Sequence, residues 1–429
     1  MTTARRTFQS LRYRNYRLFF AGQLTSQIGA WMQRIALAWY VLDLTKSPAH
    51  PLGSPIAVGV MAFMQFLPFT LFGLFAGVIT DRIDARRLVI ATQVGQTLVA
   101  IVLAVIAFDG IARPWMLYSL AFVNGAIMVL DAPSRQQLTY RMVGREALPN
   151  AIALNSSLFN ASRILGPSAA GILLGFAGVG VCFLVNAISF VAVLGGLLAM
   201  RTSEFFPLEE FERPSIIAGT KEGLAFVRTQ PRILAVLALT LVLSTFAFNF
   251  NVTLPVLAKL TLHGNATVFG FLSAVFGAGA LVGALITASR AKASARVLLI
   301  GAGVFAVAEL ALAPAASALL AGLLLFLVGV GFTAWAANSQ ATLQLAAPDR
   351  LRGRIIGLYF YAFMGTGPVA GLFAGWLCAK GGTELAFGVA GGVGVVAVVA
   401  TALRLGWTPR LNRLAATRKY RPSISEGRI

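Results

Sequence analysis

The sequence predicts an all-α polytopic membrane protein, with twelve transmembrane helices in two pseudo-symmetric six-helix halves. Three observations lead there. Of the 429 residues, 58% are apolar and only 12% are charged, whereas a soluble chain carries about a quarter charged residues; the mean hydropathy is +0.79. The apolar residues gather in runs that reach the roughly 20 residues a helix needs to cross about 30 Å of hydrocarbon. Finally, LPNAIALNSSLFNASRILGPSAAG (148–171) and LRGRIIGLYFYAFMGTGPVAG (351–371) carry similar Gly-Pro patterns at corresponding places, the mark of the duplicated halves found in secondary transporters.

Runs bounded by charges, Pro or Gly place the first six spans at 16–42, 55–80, 88–108, 114–139, 149–176 and 178–200. The second six fall at 232–260, 267–289, 296–313, 315–345, 353–379 and 382–405. This divides the chain into an N-terminal half (1–200), a linker (201–231), a C-terminal half (232–405) and a basic tail (406–429). Within the linker, Ile216, Ile217, Leu224 and Val227 recur at helical spacing among Lys221, Glu222 and Arg228. That pattern predicts an amphipathic helix on the membrane surface.

Basic residues set the orientation. With a cytoplasmic N-terminus, the inner segments hold 29 of the 35 Lys and Arg, and the outer connectors hold Lys46, Arg113, Lys259 and Lys380. The positive-inside rule therefore puts both termini in the cytoplasm of a cell inner membrane. The same asymmetry explains the net charge of +20: it is a topology signal and a contact surface for anionic lipid, not a nucleic-acid footprint. Cys182 and Cys378 lie in apolar runs and read as small apolar residues. His50 and His263 fall in connectors, so no histidine relay runs through a span. No phosphate-binding loop, zinc motif or Cys/His cluster is present. An enzyme, a metal site and a cofactor are thus not expected.

GVITDRIDARR (77–87) packs five charges into seven residues between two apolar runs. It resembles the loop between helices 2 and 3 of the major facilitator superfamily, roughly G-x-x-x-D-[RK]-x-G-[RK]-[RK]. Gly77, Asp81, Arg82 and Arg86 match; Asp84 replaces the second Gly and Ala85 a basic position. The stretches 29–45 and 153–167 resemble the superfamily's enterobactin-exporter-like branch, which includes macrolide-efflux and lysophospholipid-transporter proteins. The resemblance implies that the loop is a cytoplasmic gate, in which Asp81 pairs with arginines and helix ends of the neighbouring half; the alternative is a solvated stop signal that only fixes topology. Gly166, Pro167 and Gly171 on span 5 partly match an antiporter signature, with Ser162 and Ala170 in place of two glycines. An arginine carried early in helix 4 by many proton-coupled members is replaced here by Ala121.

Intramembrane polar groups need a reason to be there, since a central arginine costs about 2.5–3.5 kcal/mol on insertion scales. Gln23, Gln27 and Arg34 share one face of span 1. Asn124, Asp131 and Arg135 share a face of span 4, and Ser156, Asn160 and Arg163 one of span 5. Ser244 and Asn251 do so on span 7, and Thr333, Gln340 and Gln344 on span 10. The superfamily's helices 1, 4, 7 and 10 line a central cavity, so these groups are expected around a substrate; the alternative is that they tie helices together. Asp131 and Glu309 are the intramembrane acids open to proton coupling, and Asp131 with Arg135, four residues on, fits a local ion pair equally well. Gly73/Gly77, Gly171/Gly175, Gly279/Gly283 and Gly371/Gly375, each pair four apart, are expected to form the seam between the halves.

The function these features predict is secondary active export, by proton antiport, of an amphipathic small molecule of drug or siderophore class, by a monomer. The alternatives are lysolipid movement by the same fold and a non-transporting membrane sensor or scaffold.

Overall fold

The computed structural model describes residues 8–48, 50, 53–207, 216–288 and 294–405; the side chains of 74, 77, 78, 81, 216–220, 349 and 350 fall outside that description. Among the described residues nine helical stretches are long and apolar enough to cross a membrane. Two of them, of 63 and 54 residues, are really pairs. Gly144 (φ 69°, ψ 178°) breaks the first, and Gly381 with Gly382 (φ 65°) the second; a positive φ of that size favours glycine. Arg14–Leu44 spans 31 residues but carries too many polar groups to qualify on composition. Counting the pairs separately and including it gives twelve helical segments.

These are α1 (Arg14–Leu44), α2 (Pro55–Arg82), α3 (Ala85–Phe108), α4 (114–143), α5 (145–176) and α6 (Gly178–Leu198). After the linker helix (Ile216–Thr229) come α7 (Pro231–Thr261), α8 (Ala266–Ala288) and α9 (Ala295–Leu312). The last three are α10 (Ala318–Ala346), α11 (349–380, with a turn at Gly365) and α12 (383–404). Proline opens α2, α4 and α7, where its missing N–H costs no hydrogen bond. Asp84, Ser294 and Ser317 cap α3, α9 and α10 through their side-chain oxygens.

The bundle has two ends. One carries the connectors 83–84 and 347–348, residues 199–207 and 216–230, and most of the described basic residues; it is called the basic end below. The other carries 45–48, 53–54, 109–113 and 262–265. The first six helices meet the second six along two seams, α5 on α8 and α2 on α11. Glycine sets both. A Cβ on Gly270 would stand 2.6 Å from Gly171 Cα, and one on Gly375 3.0 Å from Gly59 Cα. Both contacts lie towards the end away from the basic connectors.

Half of the expected seam glycines are elsewhere or undescribed. Gly279 and Gly283 face α10, where a Cβ would meet the carbonyl oxygens of Phe326 and Val330. Gly73 has only its own turn's Phe69 nearby, and the surroundings of Gly77 lie outside the described residues. On α8 the seam is made by Gly270 and Gly277, whose Cβ would meet Arg163 O at 2.7 Å. Residues 277 and 279 project about 200° apart on a helix, so four-residue spacing finds close approach without saying to which neighbour.

The linker helix does more than lie on a surface. Val227 is buried, and Glu222 is ion-paired with Arg354 of α11. Its apolar face is therefore covered at least in part by protein. The acidic residues Glu209, Glu210 and Glu212 and the tail 406–429 lie outside the described residues.

Candidate substrate cavity

A cavity of about 1070 Å³ opens between the two sets of six helices. Gln23, Gln27 and Arg34 of α1, Asn124 of α4, Asn160 of α5 and Gln340 of α10 all line it. It runs towards the basic end, where Tyr140, Leu148, Gln344 and Ile356 form its rim. The helical period explains the first-half stripes: on α1 positions 23, 27 and 34 project to one side. Trp31, Gln65, Gln96 and Gln136 also face the cavity. These were not singled out from the sequence, although an unpaired glutamine in an apolar span is a usable signal.

The other expected lining residues are elsewhere. Ser244 donates to the carbonyl of Ala362 at 2.9 Å, tying α7 to α11. The face shared by Ser244 and Asn251 does not exist, because a π-helical turn at Leu243–Ala247 and a break at Phe248–Asn249 lie between them and shift the register of α7. Asn251 and Thr333 are absent from the lining. Of the stripe on α10, Gln340 and Gln344 reach the cavity and Thr333 does not. Aromatic rings fill the second half at that level: Phe248 stacks on Phe332 with centroids 4.4 Å apart, and Phe250, Phe276, Phe305, Trp335 and Phe363 pack around them. The polar lining therefore comes mainly from the first six helices.

Arg163 turns away from the cavity. It is 8% exposed, and its guanidinium lies over Phe276 at 4.9 Å, Phe332 at 5.3 Å and Trp31 at 5.7 Å. Gly166, Pro167 and Gly171 hold α5 against both neighbours: a Cβ on Gly166 would strike Trp31 of α1, while Pro167 O and Gly171 press on Gly270 of α8.

Of the two acids, Asp131 lines the cavity and Glu309 does not. Arg135 Nε donates to Asp131 Oδ2 at 2.6 Å; Thr92 and Gln93 of α3 donate to Oδ1 at 2.6 and 3.2 Å. The expected local ion pair is thus present, within a network that reaches α3. Glu309 is 1% exposed on α9, and its Oε2 has no hydrogen-bond partner among the described residues.

At the basic end, the side chain of Asp81 lies outside the described residues, and Arg82 is exposed. Arg86 does not reach the other half. Its Nε donates to Leu197 O at 2.9 Å and its Nη2 to Leu198 O at 3.3 Å, capping the end of α6. Asp84, a departure from the superfamily pattern, accepts from the N–H of Arg87 and pairs with Arg141 of α4. Burial works against its charge, but these hydrogen bonds and the guanidinium outweigh it and hold its carboxyl below the usual value.

At the opposite end, Lys259 of α7 donates to Asp43 of α1 at 2.6 Å, and Lys46 is also paired with Asp43 at 2.7 Å. Lys259 Nζ sits 4.8 Å from the Trp39 ring centroid, and Trp39 stacks on Phe269 of α8. Together with the glycine seams, this cluster closes the cavity on the side away from the basic end.

A protein family described as transmembrane secretion effector matches residues 5–424. The chain belongs to this family of the major facilitator superfamily. As a member of the superfamily it is a multi-pass membrane transporter and not an enzyme. It is similar to macrolide efflux protein A of Streptococcus pyogenes, 25% identical over 68% of this chain and 72% of that protein. It is also similar to the staphyloferrin A transporter of Staphylococcus aureus, 24% identical over 62% of this chain and 65% of that protein. In fold it matches the crystal structure of the nucleoside transporter NupG with a TM-score of 0.71 at 12% identity, covering 93% of this chain and all of that one.

Proposed function

We propose that the chain exports an amphipathic small molecule, of drug or siderophore class, from the cytoplasm by alternating access coupled to proton antiport. The observation that carries this reading is an amide-rich cavity between the helix sets, open towards the basic end and sealed at the other by Asp43–Lys259 and the Gly171–Gly270 contact. With the basic end in the cytoplasm of the inner membrane, this is the loading state. Rocking of residues 1–200 against 232–405 exposes the cavity to the far side. The names of the similar proteins, which are efflux proteins for macrolides and a transporter for a siderophore, agree with this substrate class.

Asp131 is the coupling site. It faces the cavity, and its partners lie on α3 and α4. A proton taken up there releases Arg135, and release of that proton restores the pair, so proton binding alternates with one arrangement of the cavity wall. Glu309 plays no part, because it is enclosed away from the cavity. The chain acts as a monomer whose basic end touches anionic lipid.

The test uses reconstituted vesicles with an imposed pH gradient and a panel of macrolides, amphipathic dyes and a lysophospholipid. Wild type accumulates at least one of the macrolides or dyes. Asp131→Asn loses gradient-driven accumulation but keeps substrate exchange, and Glu309→Gln keeps both. Accumulation that survives Asp131→Asn and fails in Glu309→Gln would reverse the assignment; transport of the lysophospholipid alone would make this a lipid transporter.

A further inference from the structure

Three charged residues line the cavity: Arg34, Asp131 and Arg135. The last two neutralise one another in a 2.6 Å ion pair. Arg34 is left as uncompensated positive charge, and Arg163 stands just behind the wall. Their guanidinium carbons lie 4.4 and 5.7 Å from the centroid of the same Trp31 ring, so the two are at most about 10 Å apart. Neither donates a hydrogen bond to, or pairs with, any described residue.

That arrangement is costly in a membrane protein. A guanidinium brings five N–H donors and no acceptor, and enclosed charge is normally met by a carboxylate or by carbonyl oxygens. Here only aromatic faces meet it, and they return part of the lost solvation. The described lining holds no free acid to serve as counter-ion. Two unneutralised cations around one cavity-lining indole are suited to an anion attached to a flat or apolar body. Trp31 and Phe159, in edge contact at 5.8 Å, supply the apolar surface, and both line the cavity.

We propose that Arg34, Trp31 and Arg163 form an anion subsite at the closed end of the cavity, which selects organic anions bearing a carboxylate beside an aromatic or aliphatic group. The inference rests on the transport reading above for its physiological meaning, though not for binding itself. Arg34 makes the direct contact. Arg163 is a positioning and field residue: it comes from α5 of the first half, yet sits between Phe276 and Phe332 of the second. Separation of α5 from α8 would withdraw it from those rings. The charge that attracts the anion therefore changes its surroundings as the halves move, which ties occupancy of the subsite to conformation.

The test measures tryptophan quenching of the full-length protein in lipid nanodiscs by three matched probes: 1-naphthylacetate, 1-naphthylacetamide and 2-(1-naphthyl)ethylamine. Wild type is expected to bind the carboxylate at least tenfold more tightly than the amide, and the amine most weakly. Arg34→Gln should remove most of that preference while leaving amide affinity within about twofold; Arg34→Lys should retain part of it. Arg163→Gln should reduce the preference less, and Arg163→Lys, which keeps the charge, guards against misreading a folding defect seen in its melting temperature. Equal binding of carboxylate and amide by wild type, or a preference that survives in the Arg34→Gln/Arg163→Gln double variant, would overturn the subsite. Export of neutral or cationic compounds without any anion preference would also overturn it and leave the transport reading intact. An anion preference with no gradient-driven export of any compound would support the subsite and refute efflux.

Discussion

Replacing Gly270 by alanine puts one methyl group into the tightest contact of the α5–α8 seam. The added carbon would lie 2.6 Å from Gly171 Cα, 2.7 Å from Pro167 O and 2.9 Å from Gly171 N, all backbone or next to it. Ordinary contact begins at 3.4 Å, so the helices must part by about 0.8 Å there. Neither side can yield by rotating a side chain. Overpacking of this kind costs about 1–3 kcal/mol. Because the penalty falls on the conformation closed at this end, it moves the equilibrium between closed and open forms by roughly five- to 150-fold. Spin labels at Ser47→Cys and His263→Cys, on the connectors flanking the closed end, report the separation by pulsed electron resonance; both native cysteines are buried. The expected result is a new population at longer distance in Gly270→Ala. Gly303→Ala serves as control, since nothing lies within 4 Å of a Cβ there. An unchanged distance distribution together with a lower melting temperature would mean that the seam is packing only and does not separate during the cycle.

Lys259→Met removes the ion pair between α7 and α1 while leaving Asp43 paired with Lys46. With a charge-assisted hydrogen bond worth about 1.5–3 kcal/mol, the same spin-label pair should shift in the same direction as in Gly270→Ala, and an unaltered distribution would remove the pair from the gate. Asp84→Ala loses both the α3 cap and the Arg141 pair, lowering stability by about 1 kcal/mol for the cap plus the small contribution of a partly exposed pair; Asp84→Asn keeps a capping oxygen and should recover most of the loss in thermal melts. Because the carboxyl of Asp84 is held below its ordinary value, its contribution is complete above the ordinary carboxylate range and disappears as pH falls through the lower folded value. The acid limb of the melting-temperature profile should accordingly flatten in Asp84→Asn, and a limb identical to wild type would contradict the role given to Asp84.

Apolar runs, with the charges, prolines and glycines that bound them, located the helices, including Arg14–Leu44, which is too polar to stand out by hydropathy alone. The expected spans 55–80 and 232–260 correspond to Pro55–Arg82 and Pro231–Thr261, because the need to satisfy every backbone group inside hydrocarbon leaves little choice but helix, and prolines, glycines and charges punctuate the ends. The helical period was likewise enough to put Gln23, Gln27 and Arg34 on one wall of the cavity. Local pattern stops being informative where the backbone leaves the 3.6-residue period, as the two π turns of α7 do, or where a contact joins distant parts of the chain. Asp43 and Lys259 are 216 residues apart, and Gly171 meets Gly270 rather than a glycine at the expected spacing. Asp84 looked like a defect in a motif until its partners Arg87 and Arg141 were in place. Arg163 looked like a cavity residue, and only the packed rings of the second half show that it faces away. Which residues can cross a membrane is decided by each residue's own transfer free energy, which the sequence carries position by position. Which of them meet is decided by how twelve helices share one volume, and no single segment contains that information.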